Sequence, residues 1–322
     1  MRLLFGRGLI AAAAWMAACV SAQSFPNKPI RVIVPFPAGG GTDIIARDVT
    51  QKVAASTGWI FVVENRPGAG GNLGVDAVAK APADGYMLVL GQTSNLSINP
   101  ALYAKMPYDV QKDLTPIVLV AKSPLVLATA ANSSFKTLGD AVNAAKAKPG
   151  AVNFASSGNG TVSHLAGELF QRAAGVKMQH VPYKGANQGL TDVLGGSVEL
   201  YMSSVPTLLG HIKQGKLRAL AVTSDKRTAD LPNVPTMIEA GYQGLEATTW
   251  FGFLAPAATP KEIIAKLNGE FNKALQQREL RKRMTETGAD PVGGTAEQFG
   301  AYIKQESVRW AQIVKDSGTK LE

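Results

Sequence analysis

The sequence predicts an α/β protein of two lobes, each a mixed, mainly parallel sheet flanked by helices. Three observations carry this expectation. At 322 residues the chain exceeds the size at which one hydrophobic core usually keeps growing. Short β-branched runs alternate with helix-like runs at the intervals of βαβ units. That rhythm breaks once near residue 114 and then restarts, as a chain does when it crosses from one lobe to another.

Taken in order, residues 29–35 (Pro-Ile-Arg-Val-Ile-Val-Pro) form a β-branched run stopped by proline and read as a buried strand. A helix then starts at Gly41 or Thr42. Asp43 sits in its first turn, where negative charge suits the dipole, and Ile44, Ile45, Val49 and Val53 supply an apolar stripe. Residues 59–63 and 86–90 read as the next two strands. Two apolar runs, 117–121 and 125–130, are separated by Lys122-Ser123-Pro124 and read as the first crossing. The second lobe follows with helix 138–146, strand 152–155, helix 161–174, strand 178–181, helix 186–194, strand 198–202, helix 205–213 and strand 217–223. Residues 250–256 read as the return crossing. After Thr259-Pro260, Ile263, Leu267, Phe271 and Leu275 line one helix face, which should dock on the first lobe. A last helix, 296–316, ends before Gly318. The expected division is therefore 23–123 with 250–322 as lobe one and 124–249 as lobe two, with hinge crossings near 117–127 and 248–256.

The N-terminus has a different character. Arg2 and Arg7 precede an apolar run of about a dozen residues, and Val20-Ser21-Ala22 has the small-x-small pattern of a secretory cleavage site. Residues 1–22 read as a removed signal, which places the mature protein in the periplasm. The single cysteine, Cys19, lies inside that signal, so the mature chain has no disulfide and no thiol nucleophile. Lipid attachment at Cys19 is the competing reading, but Met16 stands where a lipoprotein box prefers leucine. The net charge of +9 is scattered among acidic residues. Even the dense stretch 278–283 contains Glu279 and reads as a solvated helix face, so nucleic acid is not an expected partner.

Two glycine-rich turns carry the candidate chemistry. Pro35-Phe36-Pro37-Ala38-Gly39-Gly40-Gly41-Thr42-Asp43 and Ser156-Ser157-Gly158-Asn159-Gly160-Thr161 each follow a strand and open a helix. Such junctions offer backbone N–H groups and the positive end of a helix dipole to an anion. Each also has a purely structural explanation, as a tight turn with a capped helix start, and spacing alone leaves both open. A third glycine segment, 65–74, resembles a dinucleotide fingerprint only superficially, because Arg66-Pro67 separates strand from glycines. It reads as a loop shaping one rim of the cleft, and no cofactor is expected. With three histidines and no His-Glu-x-x-His or paired-cysteine pattern, no metal is expected either. A serine hydrolase using Ser157 or Ser163 remains an alternative. The G-x-S-x-G elbow is absent, and His164, seven residues beyond Ser157, need not face it.

Several motifs occur together in fixed order. Phe25-Pro26-Asn27-Lys28-Pro29-Ile30 precedes the first turn, and Glu64-Asn65-Arg66-Pro67-Gly68-Ala69-Gly70-Gly71 follows it. Ser163-His164-Leu165, His180-Val181-Pro182-Tyr183-Lys184-Gly185, Leu231-Pro232-Asn233-Val234-Pro235-Thr236 and Trp250 with Gly252 and Ala255-Pro256 come later. Across the whole mature chain this resembles the substrate-binding receptors of tripartite tricarboxylate transporters, the Bug family. The resemblance implies a hinged, Venus-flytrap periplasmic binding protein of type II-like architecture that closes on a small carboxylate and has no catalytic residues. The solute would be a di- or tricarboxylate, an amino acid or an aromatic acid. Its partners would be separate integral-membrane transporter subunits, or a signalling receptor if the role is sensing, and the chain itself would be a monomer. The implied ligand-binding positions are Phe36, Ala38, Gly39, Thr42 and Asp43 in lobe one and Ser157, Gly158, Gly160, Thr161 and Ser163 in lobe two, with Ser94 and Tyr183 as additions.

Overall fold

The computed structural model describes residues 25–319. The expected signal, its cleavage site and Cys19 lie outside them. The chain begins with β1 (Ile30–Val34), α1 (Gly41–Thr57), β2 (Phe61–Asn65), α2 (Asn72–Ala79) and β3 (Met87–Gln92). A π-helical turn, Ser94–Ile98, leads directly into the short α3 (Asn99–Leu102) and then to the long strand β4 (Leu114–Ala130). Next come α4 (Leu138–Ala147), β5 (Asn153–Ser156), α5 (Val162–Ala174), β6 (Gln179–Pro182), α6 (Ala186–Leu194), β7 (Leu200–Ser204), α7 (Val205–Lys213) and β8 (Leu217–Val222). The chain finishes with β9 (Thr248–Pro256), α8 (Lys261–Gln276), α9 (Arg278–Glu286), β10 (Asp290–Pro291) and α10 (Ala296–Ser317). No helix among the described residues is long and apolar enough to cross a membrane.

The sheet is mixed. Its strands run in the order β2-β1-β3-β9-β4-β7-β5-β6, with β8 and β10 pairing with β4. The two outer sets are parallel, as βαβ crossovers require, whereas β3, β9, β4 and β7 pair antiparallel in the middle. β4 and β9 are thus the strands that join the two halves. The N-terminal part of β4 pairs with β9, and from Leu125 onward it pairs with β7 and β8. Sequence reading broke this stretch at Lys122-Ser123-Pro124, yet the strand runs through. Lys122 and Ser123 keep their partners Trp250 and Thr249, and irregularities between Pro116 and Val118 and between Leu119 and Ala121 absorb the bend.

Other boundaries shift for local reasons. β2 begins two residues late because Gly58 closes α1 in a left-handed conformation and the Trp59 N–H bonds back to Thr57 Oγ1. β3 extends to Gln92 because Gly91 and Gln92 still find partners in Gly252 and Phe251 of β9. The segment read as a rim loop turns into α2 at Asn72. The Asn72 side chain accepts from Asn99 Nδ2 (2.7 Å) and Tyr108 Oη (2.9 Å), which ties α2 to the start of α3 and to the loop after it.

Helix α8 docks Leu267, Phe271 and Leu275 into the core formed by Ile30, Val32 and Val34 of β1 and Val49 and Val53 of α1. Phe271 also stacks on Phe253 of β9 at 4.3 Å. Helix α10 is capped by a reciprocal Thr295–Gln298 box and closed by Gly318. It spans both halves, placing Phe299 and Ile303 beside Trp250 and Leu254 and placing Trp310 and Val314 in the core with Phe154, Leu165 and Phe170. The buried Glu306 carboxylate accepts from the indoles of Trp250 (3.0 Å) and Trp310 (3.1 Å), anchoring α10 to β9.

Gly252 on β9 makes this docking possible, because a Cβ there would stand 2.1 Å from the Phe299 ring. Gly252→Ala should therefore cost roughly 1–3 kcal/mol through forced repacking of α10. Urea unfolding should show it as a lower midpoint with unchanged slope; a change below about 0.5 kcal/mol would mean that the ring moves aside freely.

Candidate functional site

The first glycine turn leaves β1 at Pro35 and enters α1 at Gly41. Gly40, its N-cap, has no side chain to satisfy the helix N–H groups. Asp43 closes the turn from behind. Its carboxylate accepts from the Gly39 N–H (2.9 Å), Asn65 Nδ2 (2.9 Å) and Arg47 Nε (3.0 Å). Burial opposes its charge, but Arg47, Gly39 and Asn65 outweigh that opposition and hold the carboxyl below its ordinary range.

The second turn joins β5 to α5. Gly160 adopts φ +75°, a left-handed conformation, and a Cβ there would meet Asn99 Oδ1 at 2.9 Å. Thr161 caps α5, its hydroxyl donating to the Gly158 carbonyl (2.6 Å) and pairing with Ser163 Oγ (2.9 Å). Ser163 Oγ accepts the Ser157 N–H at 3.0 Å. Behind the turn, His164 Nδ1 accepts from the Gly160 N–H (3.3 Å), and its ring stacks on His180 at 4.1 Å and 10°. His180 Nε2 in turn meets Ser156 Oγ at 2.7 Å.

Both turns face one pocket of ≈ 460 Å³ including its open mouth. Two more helix starts reach it. α6 begins there at Ala186, whose carbonyl accepts from Tyr201 Oη (2.7 Å), and α7 begins there behind Ser204. The walls are therefore the N-termini of α1, α5, α6 and α7. The floor is Gln92 of β3, Thr249 of β9, Leu125 of β4 and Ser203 and Ser204 of β7, from four neighbouring strands of the sheet. Among the described residues, none that lines the pocket has an ionisable side chain. Among the described residues, no acceptor meets the N–H groups of Thr42 and Ser163 in the first turns of α1 and α5. Positive potential here comes from backbone alone.

Direct hydrogen bonds cross the pocket at three places. Asn187 Nδ2 donates to the Ala38 carbonyl (2.7 Å), the Gly41 N–H to Thr207 Oγ1 (3.3 Å) and the Val162 N–H to Ser94 Oγ (3.2 Å). The first glycine turn is thus bonded to the α6 and α7 starts, and the helix opened by the second is bonded to the π turn.

Of the sequence-derived site residues, Phe36, Thr42, Ser94, Ser157, Thr161 and Ser163 line this pocket. The others are not among its lining residues. The carboxylate of Asp43 is spent on Arg47, Asn65 and Gly39, so it shapes the turn and does not reach the lining. Ala38 and Gly39 are turned to Asn187. Gly158 and Gly160 supply backbone geometry, packing against the Tyr183 carbonyl and Asn99 respectively. Tyr183 directs its hydroxyl to Asp192 at 2.5 Å. Sequence reading located the α6 and α7 starts but not their place in the pocket. A Gly185 N-cap and a Ser204-Val205-Pro206 helix opening were the available signals. Gln92 and Thr249 carried no motif at all.

A nucleophilic serine has poor support in this arrangement. The serine bonded to a histidine is Ser156, which is fully buried and outside the pocket lining. Among the described residues, no group of three or more His, Cys, Asp or Glu side chains could hold a metal ion.

Burial pushes the His164 imidazole down to about 4 and, with the neighbouring His164, pushes His180 down to about 3. Both are neutral in the fold while the unfolded histidines titrate near 6.5. Below that value the unfolded chain binds more protons, so stability falls as pH falls from 6.5 toward 4. Replacing one histidine by an uncharged residue should remove about 2 kcal/mol of this acid sensitivity. Denaturant titrations of the wild type and His180→Gln at pH 7.5 and 4.5 check it. Equal acid slopes in both proteins would contradict the buried neutral pair.

Comparison with known proteins agrees with this geometry. Residues 45–319 match the model of the tripartite tricarboxylate transporter family receptor. Protein BugT of Bordetella pertussis is 42% identical over 100% of this chain and 99% of its own length. Among solved structures, Rhodopseudomonas palustris Rpa4515 with adipate has a TM-score of 0.89 at 34% identity, covering 91% of this chain and 98% of that one. MatC (Rpa3494) from the same organism, with bound malate, has a TM-score of 0.85 at 31% identity, covering 90% and 100%. These are solute-binding proteins and not enzymes. The chain belongs to the receptor family of the tripartite tricarboxylate transporters, among its Bug proteins.

Proposed function

We propose that this receptor captures a small carboxylate in the periplasm and hands it, as a monomer, to separate membrane subunits of a tripartite tricarboxylate-type transporter. One observation carries the reading: four helix N-termini converge on a pocket that has no ionisable side chain. Such a pocket suits an anion whose charge is met by N–H groups and hydroxyls. The adipate and malate held by the two relatives support a carboxylate of similar size. No acidic side chain lines the pocket to meet an ammonium, which favours these over amino acids.

Within this reading, residues 23–123 with 250–322 and residues 124–249 act as two lobes, with β4 and β9 as the hinge near 117–127 and 248–256. Phe36, Thr42, Ser94, Ser157, Thr161 and Ser163 contact the solute, and Ala38, Gly39, Asp43, Gly158, Gly160 and Tyr183 support the turns. A solute that touches both glycine turns favours the closed form by its differential affinity. The bonds between Asn187 and Ala38 and between Gly41 and Thr207 then help hold it shut.

Malate or adipate at 100 times its dissociation constant should stabilise the fold by about 2.7 kcal/mol, read as a rise in melting temperature. A flat response to a panel of four- to six-carbon dicarboxylates and to nicotinate and benzoate would refute the receptor reading. Affinity measured calorimetrically should change less than about threefold between pH 6.5 and 9. Asp43 is held ionised and the histidines neutral there, and the solute is fully charged. A tenfold change per pH unit would instead reveal a titrating side chain at the site.

A further inference from the structure

The walls of the pocket account for a carboxylate, but the floor contains a group they leave unused. The Gln92 side chain is 8% exposed, lines the pocket, and has no hydrogen-bond partner among the described residues. Its amide atoms are not sealed off either, since they are absent from the fully enclosed polar atoms that lack partners. Only the Gln92 backbone is engaged, its N–H donating to Asn95 Oδ1 at 3.0 Å. Thr249, 5% exposed on the adjacent strand β9, likewise faces the pocket with its hydroxyl unused. A carboxamide that is open only to the pocket and has no protein partner is available to bond a ligand there.

We propose that Gln92, assisted by Thr249, is the specificity-determining residue of this receptor. It hydrogen-bonds an oxygen function (hydroxyl, amide or second carboxylate) at the end of the solute away from the helix termini. This rests on the receptor reading and adds to it the half of the solute that backbone donors cannot distinguish. The favoured class is a short carboxylic acid carrying oxygen at its far end; a plain alkanoate of equal length leaves the Gln92 amide unpaired. A carboxamide suits this role because it both donates and accepts, so it serves a hydroxyl as well as a carboxylate. The neighbouring floor residue Leu125 would pack against the methylenes between the two ends.

The experiment compares three ligands at each chain length from four to six carbons: the alkanoate, the ω-hydroxy acid and the dicarboxylate. Calorimetry is run on the wild type, Gln92→Met and Thr249→Val. The wild type should bind the best oxygen-bearing ligand at least about tenfold more tightly than its alkanoate. Gln92→Met, similar in length and unbranched, should abolish that ratio, leave alkanoate affinity within about twofold, and leave the melting temperature of the unliganded protein nearly unchanged because no internal bond is lost. Thr249→Val should reduce the ratio partially. Equal affinity of the wild type for all three ligands, or a Gln92→Met loss that is equal for all three, overturns the assignment while leaving the receptor reading intact. Binding of no carboxylate by the wild type overturns the receptor reading, and the assignment with it.

Discussion

The proposed receptor function depends on holding a negative charge without a cation. A lysine or arginine could do so from one wall, at the cost of a long side chain that must be ordered on binding. Helix N-termini do it with groups that are already fixed, but each contributes only about half a unit of charge. Several must therefore point at the same spot, and no single βαβ unit supplies more than one. The convergence of α1, α5, α6 and α7 needs strands from both halves of the sheet brought edge to edge. That is what the antiparallel run β3-β9-β4-β7 accomplishes.

The supporting residues make sense in this light. Asp43 lies close to a positive helix end but spends its carboxylate on Arg47, Asn65 and Gly39, so its charge fixes the turn and does not repel a bound anion at short range. The histidines behind the second turn are neutral, and the His164 ring acts as an acceptor that sets the Gly160 N–H. The architecture thus keeps ionisable groups one layer behind the lining. The lining itself is hydroxyls, backbone and one carboxamide.

Much of this was readable in the residues. β-Branched runs and glycine-rich helix openings located β1, β5, α1 and α5, and the four-residue spacing of Leu267, Phe271 and Leu275 placed α8 against the first core. The misreadings have physical causes. Pro124 in a polar triplet suggested a break, but a strand with partners on both sides continues through it. The glycines at 68–71 concealed a helix whose start is fixed by Asn72 and its distant partners Asn99 and Tyr108. Tyr183 was implied as a ligand group by its place in a motif, and in the structure its hydroxyl bonds Asp192, nine residues on near the end of α6. Gln92 and Thr249 were invisible because only the pairing of β3 with β9 brings them to one floor.

The most direct test is a crystal structure of the protein with malate or adipate bound. Carboxylate oxygens should lie within about 2.7–3.2 Å of the Thr42 and Ser163 N–H groups, with no lysine or arginine side chain in contact. A carboxylate paired with a basic side chain, or seated outside the pocket formed by the four helix starts, would contradict it.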